Sequence, residues 1–207
     1  MGFYSKYIFP HIMEWGLSGQ PVMDLRIKAL RPAKGKVLEI GFGTGLNISC
    51  YPPTINELIA VDTDVMMAGR ARNRVSQSPF QVRREVLDAS KMLPFPDGSF
   101  DTVVTTFTVC SIRNIRTALA EMRRVLKPEG VYLFLEHGRS GDARVARLQD
   151  WLNPMQNLIG AGCNLNRRID QLIVEAGFGM RQIDRFTMAN TPRVIGEVYT
   201  GVAELKG

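Results

Sequence analysis

The sequence has few cysteines and histidines. Its 207 residues include three cysteines, Cys50, Cys110 and Cys163, and two histidines. The cysteines are widely separated and lack the C-x-x-C or cysteine-histidine spacing of zinc sites, and an odd number does not make a disulfide framework. The sequence therefore predicts neither a metal site nor disulfide bonds, and it favours a reducing, cytoplasmic setting.

Long hydrophobic runs are also missing. No stretch approaches the roughly 20 apolar residues that a membrane-spanning helix needs. The sequence predicts no transmembrane segment, and peripheral contact with a membrane surface stays open. The net charge is +6, but the arginines form short clusters without interleaved aromatic residues. Binding to nucleic acid is therefore not expected.

The residues that are present indicate one globular domain over 1–207, because 45% of them are hydrophobic. Apolar runs that alternate with helical patterns predict strands at 36–41, 57–62, 80–88, 101–109 and 131–137, with helices at 65–77 and 114–126. Several strands are almost entirely apolar, as strands covered on both faces are. This repetition predicts an open, doubly wound, Rossmann-like α/β fold with a mostly parallel sheet.

Proline and glycine mark the boundaries of the predicted elements. "KPEG" should end the helix at 114–126, where Pro128 cannot continue it and Gly130 can take a positive φ. A helix at 142–160 should be interrupted at Pro154. The helix at 166–177 should begin at Asn166 or Asn164 as its N-cap and stop at Gly177.

Two strand-like runs, 178–186 and 193–205, close the chain and are joined by a short connection. Such a pair is typical of a hairpin at one edge of a sheet. The predicted sheet therefore has seven strands, of which one is antiparallel.

The segment "VLEIGFGTG" places Gly41, Gly43 and Gly45 at alternate positions directly after the first strand. This spacing departs from the G-x-G-x-x-G fingerprint of dinucleotide sites, and no phosphate-binding G-x-x-x-x-G-K motif is present. The turn has no basic residue, whereas Glu39 lies just before it. The turn therefore disfavours a polyanion and suits a ligand with positive charge.

Two aspartates follow the next two strands, at the edge where ligands of such sheets bind. Asp62 is placed to bind ribose hydroxyls, and Asp88 to accept from an exocyclic amine such as that of adenine. The alternatives are a turn or N-cap aspartate at Asp62, although Asp64 fits the cap better, and an ordinary loop acid at Asp88. An adenosine with positive charge and no phosphate fits this site, and S-adenosylmethionine is such a molecule.

Four motifs in order resemble those of the class I methyltransferases over residues 35–137: "VLEIGFGTG", "VDTD", "VLDASKMLPFPDGSFDTVV" and "RRVLKPEGVYLFLEH". "TVCSIRN", "FLEHG", "LNPMQNLIGAGCNLNR" and "GEVYTGVA" resemble the branch of small-molecule thiol methyltransferases. Quinone C-methyltransferases and phospholipid N-methyltransferases are similar more distantly. Animal members of this branch carry an N-terminal membrane anchor, and the residues from position 1 onward predict no counterpart of it. Phe42 stands where those members usually have cysteine or a small residue.

This resemblance implies an S-adenosylmethionine-dependent enzyme that releases S-adenosylhomocysteine. It implies a cofactor-binding core at 35–137, followed by acceptor-side helices with the terminal hairpin at 138–207. The segment "FYSKYIFPHIMEW" has aromatic and aliphatic residues at helical spacing with few charges, which predicts a helical lid segment at 1–34. The cofactor-binding residues would be Glu39, Gly41, Phe42, Gly43, Gly45, Asp62, Thr63, Asp88, Ala89, Phe107 and Thr108, with Tyr4 from the lid. The segment around Tyr4 can also rest on a membrane surface instead of covering the site.

The first expectation for the acceptor is a small, apolar thiol, which reacts as its thiolate. His137, at the end of the fifth strand, is the histidine placed to help as a base or as a positive charge, and the alternative is a structural role. Cys110 and Cys163 are expected to pack rather than react. Met155, Leu158 and Ile159 either form the floor of an acceptor pocket or belong to the core.

The residues also leave other acceptors open. A lipid amine or a quinone ring is the second enzymatic hypothesis, and a binding module without catalytic activity is the third. The chain is expected to act as a monomer or a homodimer.

Overall fold

The computed structural model describes residues 14–63, 67–160 and 162–206, and of residues 67–70 the backbone alone. Tyr4 and Asp64 lie outside the described residues. The strands are β1 (Gly35–Ile40), β2 (Ile55–Asp62), β3 (Gln81–Val86), β4 (Phe100–Thr106), β5 (Leu126–His137), β6 (Phe178–Thr187) and β7 (Glu197–Leu205). The helices are α1 (Gln20–Leu30), α2 (Met67–Ser76), α3 (Ile115–Val125), α4 (Ala143–Ile159), α5 (Ile169–Glu175) and α6 (Arg193–Gly196), and a short 3-10 helix covers Leu46–Cys50.

The seven strands form one sheet in the order β3-β2-β1-β4-β5-β7-β6. Strands β1 to β5 are parallel, whereas β7 is antiparallel to both β5 and β6. The predicted doubly wound sheet with one antiparallel edge hairpin is confirmed. The strand order reverses between β1 and β4, and a crevice forms at such a point because the flanking connections leave the sheet in opposite directions.

Helices cover both faces of the sheet. On one face, α3 and α5 form a core in which Leu119 packs with Leu38 of β1. On the other face, α1 and α2 form a second core that contains Leu30 and Val37. Successive residues of a strand point to opposite faces, so the neighbours Val37 and Leu38 belong to different cores. This double burial explains why the strands are almost entirely apolar.

The described part of the N-terminal segment belongs partly to the fold and partly to the site. Leu30 of α1 is fully buried, so α1 is a layer of the domain. Residues 14–17 are helical, and Glu14 and Leu17 border the cavity described below. Within the described ranges, no helix combines the length and the apolar composition needed to cross a bilayer.

The connection between α3 and β5 differs from the prediction. The helix ends at Val125, and the following residues, with Pro128 and Gly130 among them, already belong to β5. Gly130 does not have a positive φ. The register with β4 shifts at this place, and a proline is tolerated in a strand where the ladder is irregular.

The predicted break at Pro154 is wrong, because α4 is continuous from Ala143 to Ile159. The loop after α4 forms hydrogen bonds with helix residues on both sides of the proline. Asn153 Oδ1 accepts from Leu165 N at 2.8 Å, and Asn157 Nδ2 donates to Gly162 O at 3.0 Å. These tertiary contacts offset the backbone hydrogen bond that a proline cannot donate.

The predicted asparagine N-cap of α5 is also wrong. Arg168 occupies the N-cap position without a side-chain hydrogen bond. Asn166 Nδ2 donates instead to Asp150 Oδ1, and Asn164 Nδ2 to Cys110 O. The predicted end at Gly177 is confirmed, since this glycine follows the helix with a φ of 92°.

Truncation of a leucine tests the importance of the α3 core. Leu119 is fully buried, whereas Leu158 on α4 is 81% exposed. We expect Leu119→Ala to lower the free energy of unfolding by about 3 kcal/mol, because the substitution leaves a cavity. The matched Leu158→Ala should change it by less than about 0.5 kcal/mol. Urea unfolding measures both values, and equal losses would contradict the assignment of this core.

Candidate functional site

A cavity of about 880 Å³ lies at the carboxyl ends of the parallel strands. Its volume is in the range of small-molecule sites. The structure brings most of the predicted site residues together, because the cavity is lined by Glu39, Gly41, Phe42, Gly43, Asp62, Thr63, Asp88, Ala89, Phe107, Thr108 and His137. Their individual contacts with a ligand stay predictions. Gly45 is not among the lining residues.

The glycine turn after β1 has left-handed backbone at all three glycines, with φ values of 78° at Gly41, 56° at Gly43 and 79° at Gly45. A Cβ on Gly41 would lie 2.1 Å from Thr108 Oγ1, and one on Gly45 would lie 3.0 Å from the Phe42 ring. These two glycines therefore serve the packing of the turn. A Cβ on Gly43 would meet no atom within 4 Å, so this glycine leaves open space beside the cavity.

The glycine turn is hydrogen-bonded to the end of β2. Gly41 N donates to Val61 O at 2.8 Å, and Gly43 N donates to Asp62 Oδ2 at 2.8 Å. Asp62 therefore fixes the conformation of the glycine turn while its side chain borders the cavity. Asp88, after β3, accepts hydrogen bonds from the Ser90 hydroxyl and amide, and these bonds lower the pKa of its carboxyl group.

The end of β4 bends sharply at Phe107, whose φ is 53°. This conformation is unfavourable for a bulky residue, so surrounding contacts must hold it. Phe107 N donates to Leu135 O at 2.8 Å. The next two amides, of Thr108 and Val109, donate to Glu136 Oε2 at 2.8 and 3.1 Å. The side chain of Glu136 on β5 thus holds the loop that forms one wall of the cavity.

Arg26 is a site residue that the sequence analysis missed. Its guanidinium is buried, and Nη1 donates to Asn47 Oδ1 at 2.7 Å and to Thr106 Oγ1 at 2.9 Å. Asn47 Nδ2 and the Tyr51 hydroxyl donate in turn to the two oxygens of Glu39, at 2.9 and 2.7 Å. Both Arg26 and Glu39 line the cavity.

The signal for Arg26 is its spacing along α1. Val22, Arg26 and Leu30 are four residues apart, and all three are buried. Residues at this spacing share one face of a helix, so Arg26 interrupts an apolar stripe. A charged residue in such a stripe indicates a buried polar partner.

Burial controls the charge of two acids at the site. Desolvation raises the pKa of Glu39 to about 7, although the hydrogen bonds from Tyr51 and Asn47 lower it. Desolvation, together with the charge of Cys110, raises the pKa of Glu136 to about 8. The negative charge of these carboxyl groups near neutral pH is therefore smaller than their residue type suggests.

Cys110, His137 and Cys163 meet at another part of the cavity wall. His137 Nε2 lies 3.2 Å from Cys163 Sγ, and the potential ligand atoms of all three residues lie within 4.8 Å of one another. Both cysteines are buried, as expected of packing residues, but their position in the cavity was not expected. Sequence spacing gave no signal, because the three residues come from the loop after β4, the end of β5 and the loop after α4.

The three groups of this cluster influence one another's charge. Hydrogen bonding to Cys163 holds the pKa of Cys110 well below its usual range, and His137 lowers it further. The same hydrogen bond and burial raise the pKa of Cys163. Burial lowers the pKa of His137, but Cys110 reverses this effect and raises it to about 8. His137 Nδ1 is buried without a hydrogen-bond partner among the described residues.

Neither expectation for the apolar residues of α4 is correct. Met155, Leu158 and Ile159 are exposed, and none of them lines the cavity. The buried residues of α4 are Ala146 and Gln149. The helix is thus oriented with this apolar stripe away from both the core and the cavity.

The raised pKa of Glu39 predicts a pH dependence of stability. Its pKa is about 7 in the folded chain, against an ordinary value of 4.5. Between these values the folded state binds more protons, so the free energy of unfolding falls as the pH rises. Glu39→Gln should therefore reduce the fall in the urea midpoint between about pH 5 and about pH 7.

Asp150→Asn is the control for this experiment. The hydrogen bond from Arg139 lowers the pKa of Asp150 to about 2, so this group stays ionised throughout the measured window. Its substitution should leave the pH slope as it is in the unsubstituted protein. Equal slopes for the unsubstituted protein and Glu39→Gln would contradict the raised pKa.

Comparison with known proteins places the chain in a family. Residues 38–134 match the family model described as a methyltransferase domain. Human thiol S-methyltransferase TMT1B is 36% identical over 168 residues, which cover 77% of this chain and 67% of that protein. Phosphatidylethanolamine N-methyltransferase of Cereibacter sphaeroides is 31% identical over 128 residues, which cover 61% of this chain and 62% of that protein.

The crystal structure of a SAM-dependent methyltransferase from Methanosarcina mazei matches with a TM-score of 0.64 at 17% identity, over 87% of this chain and 97% of that chain. This match concerns the fold alone. The chain spans about two thirds of the length of TMT1B. It belongs to the class I S-adenosylmethionine-dependent methyltransferases, as a member that resembles the thiol S-methyltransferases.

Proposed function

We propose that this methyltransferase transfers the methyl group of S-adenosylmethionine to the sulfur of a small, apolar thiol. The observation that supports a thiol most directly is that His137, which would help to ionise a thiol, shares a cavity with the glycine turn. One cavity borders both the glycine turn and the cluster of Cys110, His137 and Cys163. The similarity to TMT1B favours the same acceptor class. A lipid amine is the second candidate, because the chain also resembles a phosphatidylethanolamine N-methyltransferase.

The residues of the cavity fit S-adenosylmethionine. This molecule supplies a methyl group that is already activated on a sulfonium sulfur. We assign the ribose hydroxyls to the carboxylate of Asp62, and the adenine to Asp88 and Ala89. The nucleoside would lie against the backbone of the glycine turn, in the open space beside Gly43. The remaining contacts with the cofactor would come from Phe42, Thr63, Phe107 and Thr108.

Arg26 would bind the carboxylate of the methionine part. It lines the cavity, and its Nε is buried without a hydrogen-bond partner among the described residues. An unsatisfied buried donor is costly, and a carboxylate ligand would satisfy it. Glu39 would hold the guanidinium in place through Asn47.

The chain's contribution to the reaction would be alignment and the exclusion of water. Correct orientation of two reactants can supply on the order of 7 to 11 kcal/mol. His137 would stand on the acceptor side and help to expose the thiolate, as a base or as a positive charge. Glu136 would keep Phe107 and Thr108 in position through the amides that it accepts.

Residues 1–34 would include a lid, since Glu14 and Leu17 already border the cavity. The segment could instead rest on a membrane surface. We propose a cytoplasmic enzyme that acts as a monomer or homodimer without nucleic acid, and its three unpaired cysteines are consistent with a reducing compartment.

Gly43→Ala tests the placement of the cofactor. Its matched control is Gly98→Ala, because Gly98 has a φ of 57°, lies outside the cavity wall and has similar free space around its Cβ. Both substitutions should cause similar backbone strain. We expect only Gly43→Ala to weaken the binding of S-adenosylhomocysteine, by at least about tenfold, or about 1.4 kcal/mol, in calorimetry. Unchanged affinity in Gly43→Ala would contradict this placement.

Product analysis tests the acceptor. Purified protein with S-adenosylmethionine is offered an alkyl thiol, phosphatidylethanolamine or a quinol precursor, and mass spectrometry identifies the methylated product. We expect the thioether. Turnover of the lipid amine or the quinol alone would contradict the thiol proposal. Binding of S-adenosylhomocysteine without methylation of any acceptor would instead support a non-catalytic module.

A further inference from the structure

The loops that bear Cys110 and Cys163 are joined to each other. Asn164, next to Cys163, donates to Cys110 O through both its amide, at 3.0 Å, and its side-chain Nδ2, at 2.9 Å. The carbonyl of Gly162 accepts from Asn157 Nδ2 at 3.0 Å, which links the same loop to α4. The backbones of the two cysteines are therefore held close together before any ligand binds.

His137 completes the cluster from the end of β5. It is held there by the pairing of β5 with β7, where it lies opposite Val198. Its Nε2 lies 3.2 Å from Cys163 Sγ, while its buried Nδ1 has no partner among the described residues. Three soft or borderline donor groups thus converge from three separate segments, and each segment is fixed by its own hydrogen bonds.

Two cysteines and one histidine are a donor set that Zn²⁺ prefers. Zinc binds thiolate sulfur at about 2.3 Å and imidazole nitrogen at about 2.0–2.1 Å in tetrahedral sites, so its ligand atoms lie roughly 3.5–3.8 Å apart. The contact between His137 and Cys163 is already within this spacing. The other separations are at most 4.8 Å, so an adjustment of about 1 Å would complete the arrangement. Two thiolates would also balance the charge of the cation.

We propose that Cys110, His137 and Cys163 form a binding site for Zn²⁺ whose fourth coordination position opens into the methyl-transfer cavity. All three residues line that cavity, so a ligand in the fourth position would lie in the same space as the bound substrates. Three protein ligands with one open position is the arrangement of catalytic rather than structural zinc sites. The chemistry of the site would suit a second sulfur ligand, the acceptor thiol, and this part of the proposal depends on the proposed function.

A bound zinc ion would convert the acceptor thiol into its reactive thiolate form. A thiol that binds zinc loses its proton, here to solvent, and stays in place as a thiolate. Its sulfur forms a bond to the methyl carbon while the bond from that carbon to the sulfonium sulfur breaks, and the electron pair of the broken bond remains on the former sulfonium sulfur. Both products are neutral thioethers, which bind zinc more weakly than a thiolate does. His137 would act as a metal ligand rather than as a base.

Metal binding is measured on the full chain, prepared with a non-thiol reductant. The protein is stripped with a chelator, reloaded with Zn²⁺ and desalted, and its zinc content is determined by mass spectrometry. A parallel sample is loaded with Co²⁺, since thiolate ligands give this ion charge-transfer bands and tetrahedral geometry gives it intense visible bands. The variants are Cys110→Ser, Cys163→Ser and His137→Asn. Cys50→Ala is the matched control, because Cys50 is a buried cysteine outside the cavity wall.

We expect about one zinc per chain in the unsubstituted protein and in Cys50→Ala, and at least about 100-fold weaker zinc binding in each cluster variant. The Co²⁺ spectrum should show thiolate bands in the first two proteins, and a small alkyl thiol should change it by entering the open position. Calorimetry with S-adenosylhomocysteine on every variant shows whether the fold and the cofactor site remain intact.

Zinc content that is equal in Cys50→Ala and in folded cluster variants would overturn the site. Loss of zinc by the stripped protein without recovery on reloading would also overturn it, even if the thiol were still methylated. A bound metal whose Co²⁺ spectrum does not respond to thiols would overturn the open position. Specific zinc binding without methylation of any thiol would support the metal site while contradicting the proposed acceptor, so the two failures are distinguishable.

Discussion

The close approach between the glycine turn and the end of β4 is the constraint on which the site depends. Gly41 lies so near Thr108 that any side chain at this position would collide with it. The strand order reverses between β1 and β4, and this is where the sheet opens a crevice. The left-handed glycine backbone therefore forms one boundary of the crevice, and the space next to it is available to a ligand.

A buried polar network supports this region. Arg26 on α1 and Glu39 on β1 are joined through Asn47, which hydrogen-bonds to both side chains. Buried charges stabilise a fold only when their hydrogen bonds are satisfied, and Arg26 Nε and Glu136 Oε1 are not satisfied within the described part of the chain. Both groups belong to residues that shape the cavity. Arg26 also lines the cavity, so its unsatisfied Nε is consistent with a partner that arrives with the ligand.

The proposed acceptor side of the cavity is built differently from the proposed cofactor side. The glycine turn, Asp62 and Asp88 all follow strands of the parallel half of the sheet, at positions that the topology determines. Cys163, in contrast, reaches the cavity on the loop after α4, and hydrogen bonds of Asn164 attach that loop to Cys110. The wall that we assign to the acceptor thus depends on loop packing beyond β5, whereas the wall that we assign to the nucleoside depends on the sheet.

The sequence by itself determined the doubly wound sheet, the terminal hairpin and the positions of the glycine turn, Asp62 and Asp88. These features follow from short-range patterns, because apolar runs and strand ends are read from neighbouring residues. Only the tertiary structure decided that α4 continues through Pro154, that Arg26 is buried, and that Cys110, His137 and Cys163 meet. Each of these outcomes depends on contacts between residues far apart in the chain. The apolar stripe of α1 marks Arg26 as an interruption but does not identify its partners, and the other two outcomes leave no local periodicity or spacing in the sequence.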